Sequence, residues 1–202
     1  MREYKEILDK YLPDKTSSIV SEWISTFGIY LRITGSRSTK LGDYYPPIRN
    51  NYHRITINHD LNKYAFLITF VHEMAHLIVW VQNKNRVKPH GKEWKLEFKQ
   101  LMDPFFELEV FPSDIKNALM KYLRNAKAST VSDLELSRVL RNYDVNNTQI
   151  LLENILCDAV FKLRNGRTFK KGEKLRKRYR CMCLNNKRIY LIDPLVEVIP
   201  VK

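Results

Sequence analysis

Apolar residues recur with two different periods along this chain. Ile19, Val20, Trp23, Ile24 and Phe27 fall at helical spacing, with Asp14 as the expected N-cap and Gly28 as the expected stop. Ile29, Leu31 and Ile33 then alternate as in a strand, and Ile55 and Ile57 alternate again. The stretch between them, residues 35–47, carries Gly35, Pro46, Pro47, Tyr44 and Tyr45, and reads as a hairpin-like excursion between two strands. A long helix is predicted from about Leu61 to Gln82, with Asp60 as its cap and no Pro or Gly inside it. A second starts near Gly91, presents Trp94, Phe98 and Leu101, and is predicted to end at Pro104. Two more are expected at 114–124 and 133–143, the latter opened by Ser132 and Glu135 at capping-box spacing.

After Asn146, Asn147 and Thr148 the character changes to short alternating runs with turn signals at Asn165-Gly166, Asn185-Asn186 and Asp193-Pro194. This predicts residues 1–145 as one domain and 146–202 as a small all-β module. Charge follows the same division. The chain carries a net +13, yet the segment 161–202 holds 13 Lys and Arg against 3 acids, so +10 of that excess lies there. A field so concentrated attracts polyanions, nucleic acid first among them; a merely solubilising basic face is the plainer alternative. The 3 cysteines do not make a disulfide framework, and Met1 to Tyr11 mixes charged and apolar residues unlike a signal peptide. The most apolar stretch, Tyr64 to Val81, contains His72, Glu73 and His76, which argues against a membrane span. Together these lead us to expect a cytoplasmic location and no membrane partner.

The chemistry concentrates in Val71-His72-Glu73-Met74-Ala75-His76-Leu77. On a helix, positions i and i+4 lie one above the other, so two imidazoles can take adjacent corners of a tetrahedral zinc site. Glu73 sits about 100° around the helix from His72, placed to act on a metal-activated water without ligating the metal. Two buried, hydrogen-bonded histidines are the bland alternative. A catalytic zinc site has three protein ligands and one open position, and the third ligand must come from elsewhere. Val79 and Gln82 stand three and six residues after His76, where the metzincin pattern has Gly and His. His90 is the favoured third ligand because imidazole suits zinc and Gly91 permits a tight turn into the next helix. Glu93 and Glu97 remain eligible by distance. His53 and His59 read as structural or surface residues.

The combination of this motif with His90-Gly91-Lys92-Glu93-Trp94 resembles the SprT-like metalloprotease family. The lead-in Ile55-Thr56-Ile57-Asn58-His59-Asp60-Leu61 and the stretch Ala126 to Asp144 resemble bacterial members. The resemblance implies one Zn2+ per chain held by His72, His76 and His90, with Glu73 as catalytic base. It also implies an α+β fold: a compact zincin-like metalloprotease core of helices on a small, mainly antiparallel sheet, here with the C-terminal β module. The expected activity is zinc-dependent endopeptidase hydrolysis of protein substrates, DNA-associated or DNA-crosslinked ones included. One departure stands out. Many members carry a C-terminal zinc ribbon of paired CxxC motifs, whereas this chain has only Cys157, Cys181 and Cys183, and the latter two read as small buried hydrophobes. In place of the ribbon comes a basic run, from which Lys170, Lys171, Lys174, Arg176, Lys177, Arg178 and Arg180 are expected to contact DNA. The competing expectation is a nucleic-acid-binding protein whose zinc is structural. Glu73 separates the two, since a structural site has no use for a base beside the metal.

Overall fold

The two alternating runs of the N-terminal half, β1 (Ile29–Thr34) and β3 (His53–Asn58), are neighbours in the computed structural model, but they run parallel, Ile29 facing His53 and Thr34 facing Asn58. Between them in sequence, β2 (Gly42–Tyr45) turns back and pairs antiparallel on the other side of β3, giving the order β1-β3-β2. The core sheet is therefore mixed, with one parallel and one antiparallel pair, and not mainly antiparallel as expected. The cause is the long excursion after Thr34. It carries the chain past β3's place and leaves β2 at the sheet's edge, with β3, whose Ile55 and Ile57 are fully buried, at its centre.

Residues 2–37, 40–48, 51–124, 133–145 and 149–201 are described, and they fall into two compact units, Met1–Val145 and Asn146–Lys202. In the first, α1 (Arg2–Tyr11) and α2 (Ser17–Thr26) precede the sheet. The helix α1 is absent from the sequence reading, where its charged residues mask Leu8, which is buried and packs in the core with Leu12 just beyond the helix end. Thr16, not Asp14, stands at the start of α2, its hydroxyl donating to the Pro13 carbonyl at 2.7 Å.

The helix α3 (Lys63–Asn83) begins at Asn62, whose side chain accepts from the Ala65 N–H at 3.0 Å. The cap is thus Asn62 in place of Asp60. The Asn62 amide also donates to the Leu140 carbonyl at 2.8 Å and to Asp144 Oδ1 at 2.7 Å, tying the start of α3 to the end of α6 (Leu134–Arg141). By length and composition α3 could cross a membrane, but its apolar surface is covered by its own protein. Phe66, Leu67, Phe70, Val71, Met74, Ala75 and Leu77 are all fully buried, which is why it is apolar around most of its girth.

The helix α4 (Lys92–Glu107) runs through Pro104 instead of stopping there. A proline inside a helix costs about 3 kcal/mol. Complete burial of Met102 and Phe105 on either side of it contributes about 1.5–3 kcal/mol each, which outweighs that loss. The helices α5 (Ser113–Arg124) and α6 complete the unit. Asp133 caps α6 by accepting from the Leu136 N–H at 3.2 Å; Ser132 of the expected capping box lies outside the described residues.

The second unit is an antiparallel five-stranded sheet of order β7-β6-β5-β4-β8, built from β4 (Val160–Lys162), β5 (Thr168–Lys174), β6 (Tyr179–Cys183), β7 (Ile189–Ile192) and β8 (Ile199–Pro200). Its core is Leu152, Phe161, Phe169, Cys181, Cys183, Ile192 and Val198, so the two strand cysteines are indeed buried as small hydrophobes. Mixed helix and sheet across the chain make the fold α+β.

Candidate metal centre

One turn of α3 separates His72 from His76 and places both imidazoles on the same face. The loop after α3 then brings in His90, which adopts a left-handed backbone (φ 57°) immediately before α4. A histidine tolerates this region only at some energetic expense. Gly91 itself has an ordinary φ of −70°. Its need for glycine is spatial, because a Cβ there would lie 2.9 Å from the Lys88 carbonyl oxygen.

The result is a tight convergence of nitrogens. His90 Nε2 lies 2.9 Å from His76 Nε2 and 3.2 Å from His72 Nε2, and all three donor atoms fall within 4.8 Å of one another. Among the described residues this is the cluster that could hold a metal ion. Glu93 and Glu97 are not part of it; Glu97 accepts a hydrogen bond from Gln82 at 2.9 Å instead. Burial presses the imidazoles toward the neutral, ligand-competent form. His72 is pushed down to about 2 and His76 to about 3, desolvation being the main cause and the neighbouring histidines adding to it. His90 is shifted the same way by burial.

Trp94 is the support beneath all three rings. It is fully buried, its ring centroid lies 4.6, 5.4 and 4.7 Å from those of His72, His76 and His90, and its indole N–H donates to the His72 carbonyl at 3.3 Å. The spacing His90-x-x-x-Trp94 marked this residue in the sequence without revealing what it does.

Glu73 is buried one residue after His72 and opens onto a cavity of about 320 Å3 lined by Gly42, Asp43, Tyr44, His72, Glu73, His76 and His90. Burial raises its carboxyl to about 8 and the Asp43 charge adds to this, while the Tyr44 backbone N–H, Arg37 and Lys40 oppose the rise. A dication beside it would reverse that balance toward the carboxylate. The edge strand β2 therefore touches the site directly. It lies so close to α3 that a Cβ on Gly42 would sit 2.7 Å from Thr69 Cγ2 and 3.2 Å from Glu73 Cγ.

A polar clamp that the sequence did not show holds β2 in place. Arg37 donates to Asp43 at 2.5 Å and to Asn58 at 2.7 Å, Lys40 to Asp43 at 2.6 Å, and the Thr56 hydroxyl also to Asp43. Burial alone would raise the Asp43 carboxyl, but the hydrogen bonds from Lys40, Thr56, Tyr45 and Arg37 win and hold it well below the usual carboxylate range. His53 donates or accepts at Tyr44 Oη (2.8 Å), whereas His59 is exposed.

In the second unit the basic residues divide. Lys174, Arg176, Lys177, Arg178 and Arg180 are exposed along the β5–β6 hairpin. Lys170 is half-buried and paired with Asp158 at 2.9 Å; Arg180 lies 3.5 Å from Glu173. Lys171 departs from the sequence expectation. It is buried, its Nζ donates to the Ile155 carbonyl at 2.6 Å, and it lies 4.1 Å from the centroid of the Tyr179 ring. Lys171 shares a strand face with Phe169, which anchors the core, so it points inward, unlike the exposed contact residue the sequence led us to expect.

The model of the SprT-like family matches residues 6–116, which span β1–β3, α3, His90 and α4. The chain is also similar to lysine–tRNA ligase 2 of Methanosarcina mazei, at 26% identity over 145 residues. That likeness covers 67% of this chain but only 26% of the relative, so the chain spans about a quarter of that protein's length. No solved structure matches the chain. With the family model covering more than half of its length, including the helix that carries His72, Glu73 and His76, the chain belongs to the SprT-like family.

Proposed function

We propose that this protein is a zinc-dependent metalloendopeptidase with a zincin-like core, acting on DNA-associated or DNA-crosslinked proteins to which its basic C-terminal unit brings it. The observation that carries the reading is the union of three converging imidazole nitrogens with a buried carboxylate in one cleft. The donors suit zinc. Tetrahedral Zn–N bonds of 2.0–2.1 Å place ligand nitrogens about 3.3 Å apart, close to the 2.9 and 3.2 Å found here.

Zinc held by His72, His76 and His90 would polarise the scissile carbonyl and lower the pKa of its water toward about 7. Glu73 takes the proton from the attacking water as the new C–O bond forms, and returns it to the leaving amine as the C–N bond breaks. The Tyr44 N–H favours the ionised form of Glu73. The free edge of β2 offers backbone groups with which an extended substrate can pair, largely without regard to its side chains. Exposed cations on the β5–β6 hairpin suit the phosphates of DNA, and such contacts position a protein without reading sequence. The alternative, a structural zinc in a nucleic-acid-binding protein, leaves Glu73 with no purpose.

The test is digestion of a DNA-binding protein with and without DNA, comparing wild type with Glu73→Gln. The amide keeps the shape but cannot accept the proton, so turnover should drop by about 10²- to 10⁴-fold with zinc retained. Near-normal turnover in the variant would reject the mechanism.

A further inference from the structure

A second cavity, of about 260 Å3, adjoins the metal-ligand cleft. Tyr44, His76 and His90 line both, so the two cavities are neighbours across those three side chains. Its floor is apolar. Val79 and Trp80 lie three and four residues beyond His76, one turn further along α3, and Val87, Pro46 and Trp94 close the remaining sides. The rim is cationic, with Lys84 and Lys88, and no carboxylate lines the cavity.

The side chains of its wall are tied to one another. Tyr44 Oη is bonded to His53, and the His53 ring meets the Trp80 ring edge-on with centroids 5.4 Å apart. Lys84, itself at a positive φ of 54°, holds its ammonium 3.9 Å from the Trp80 ring centroid. From Lys84 to His90, two positive-φ residues bracket a loop that folds back over the end of α3.

Building on the metalloendopeptidase reading, we infer that this cavity is a specificity subsite that receives one large apolar side chain, aromatic or leucine-sized, from a substrate residue beside the scissile bond, and rejects lysine and arginine. The volume falls just below the roughly 300–1,000 Å3 typical of sites for whole small molecules, which suits a single side chain. An apolar side chain gains by leaving water here. A lysine would bring an ammonium into an apolar pocket already rimmed by two others, with no acid to pair with it. Pairing along β2 would still read only backbone, so selectivity would be confined to this one position.

The experiment is calorimetric titration of the zinc-loaded full chain with succinyl hydroxamates that differ only in the α-substituent: hydrogen, isobutyl, benzyl or 4-aminobutyl. Isobutyl and benzyl should bind at least about tenfold tighter than hydrogen, and 4-aminobutyl no tighter than hydrogen. In Lys84→Glu, with zinc content unchanged, the gap between benzyl and 4-aminobutyl should narrow. Equal affinity across the series, or tightest binding of the 4-aminobutyl compound, overturns the subsite while leaving the metal centre standing. Failure of every hydroxamate to bind zinc-loaded protein would overturn the metalloendopeptidase reading, and the subsite with it.

Discussion

Gly42→Ala tests whether β2 and α3 form one mechanical unit. Gly42 has no left-handed backbone to protect, so by itself the substitution should stabilise, by about 0.4–1 kcal/mol through the unfolded chain. Packing opposes this. The new methyl would lie 2.7 Å from Thr69 Cγ2, 3.0 Å from the Thr56 carbonyl oxygen and 3.2 Å from Glu73 Cγ. Thr69 cannot easily turn away, because it is β-branched and its hydroxyl already donates to the Ala65 carbonyl at 2.7 Å. The Thr56 carbonyl belongs to the central strand and is held there. Overpacking of this kind costs about 1–3 kcal/mol, so the net loss should be about 1–2 kcal/mol, or roughly 2–8 °C in Tm for a protein of this size. Because relief requires β2 to lift or Glu73 to shift, peptide turnover should fall by more than the stability loss explains, while zinc stays bound. Melting of the zinc-loaded form, metal analysis and hydrolysis under conditions where the variant is folded together make the assay. An equally stable and equally active variant would refute the close coupling of strand and helix.

Purified protein should contain one equivalent of zinc per chain, and His76→Ala should lose it; two equivalents in the wild type would contradict a single three-histidine centre. Asp43 has a depressed carboxyl pKa, so the stability it contributes is present above its unfolded value near 3.9 and is lost as the pH falls below about 4 toward the lower folded value. Denaturant unfolding between pH 5 and 3 should therefore show a shallower loss in Asp43→Asn than in wild type, and parallel slopes would remove Asp43 from the account. DNA affinity should fall with salt at about −0.9 in log–log slope per duplex phosphate contacted. Reversal of Lys174, Arg176 and Arg178 to glutamate should abolish binding with zinc content unchanged, whereas Lys171→Met should mainly perturb the folding of the second unit; an undiminished affinity in the triple variant would reduce the hairpin to a solubilising surface.

How far the sequence was legible depended on whether each feature was local. His72, Glu73 and His76 lie within one helical turn, so their geometry follows from the pitch of a helix. His90 needed a loop whose path no periodicity encodes, and its positive φ is uncommon for any residue but glycine. The parallel pairing of β1 with β3 is a long-range choice, invisible to alternation within either strand. The clamp of Arg37, Asp43, Thr56 and Asn58 escaped notice for the same reason, since no short motif links residues from three segments. Lys171 was different. Alternation places it on the same face as Phe169, and that signal was present in the sequence but was overridden by the density of positive charge around it.

The register of β2 adds a constraint on how a substrate would meet the centre. In an antiparallel pair only alternate residues exchange both backbone bonds with the partner, and the residues between turn their N–H and C=O to the other side. Leu41 accepts from Asn58 across the pair, so Tyr44, opposite Ile55, turns its N–H and C=O away from β3, and its N–H favours the Glu73 carboxylate. By the same alternation Asp43 and Tyr45 face β3, so a peptide pairing along β2 would find its backbone partners at Gly42 and Tyr44, beside Glu73. The same residue's phenol, bonded to His53, forms the wall between the metal cleft and the apolar cavity. Backbone and side chain of Tyr44 thus both border the cleft that holds Glu73 and the three histidines.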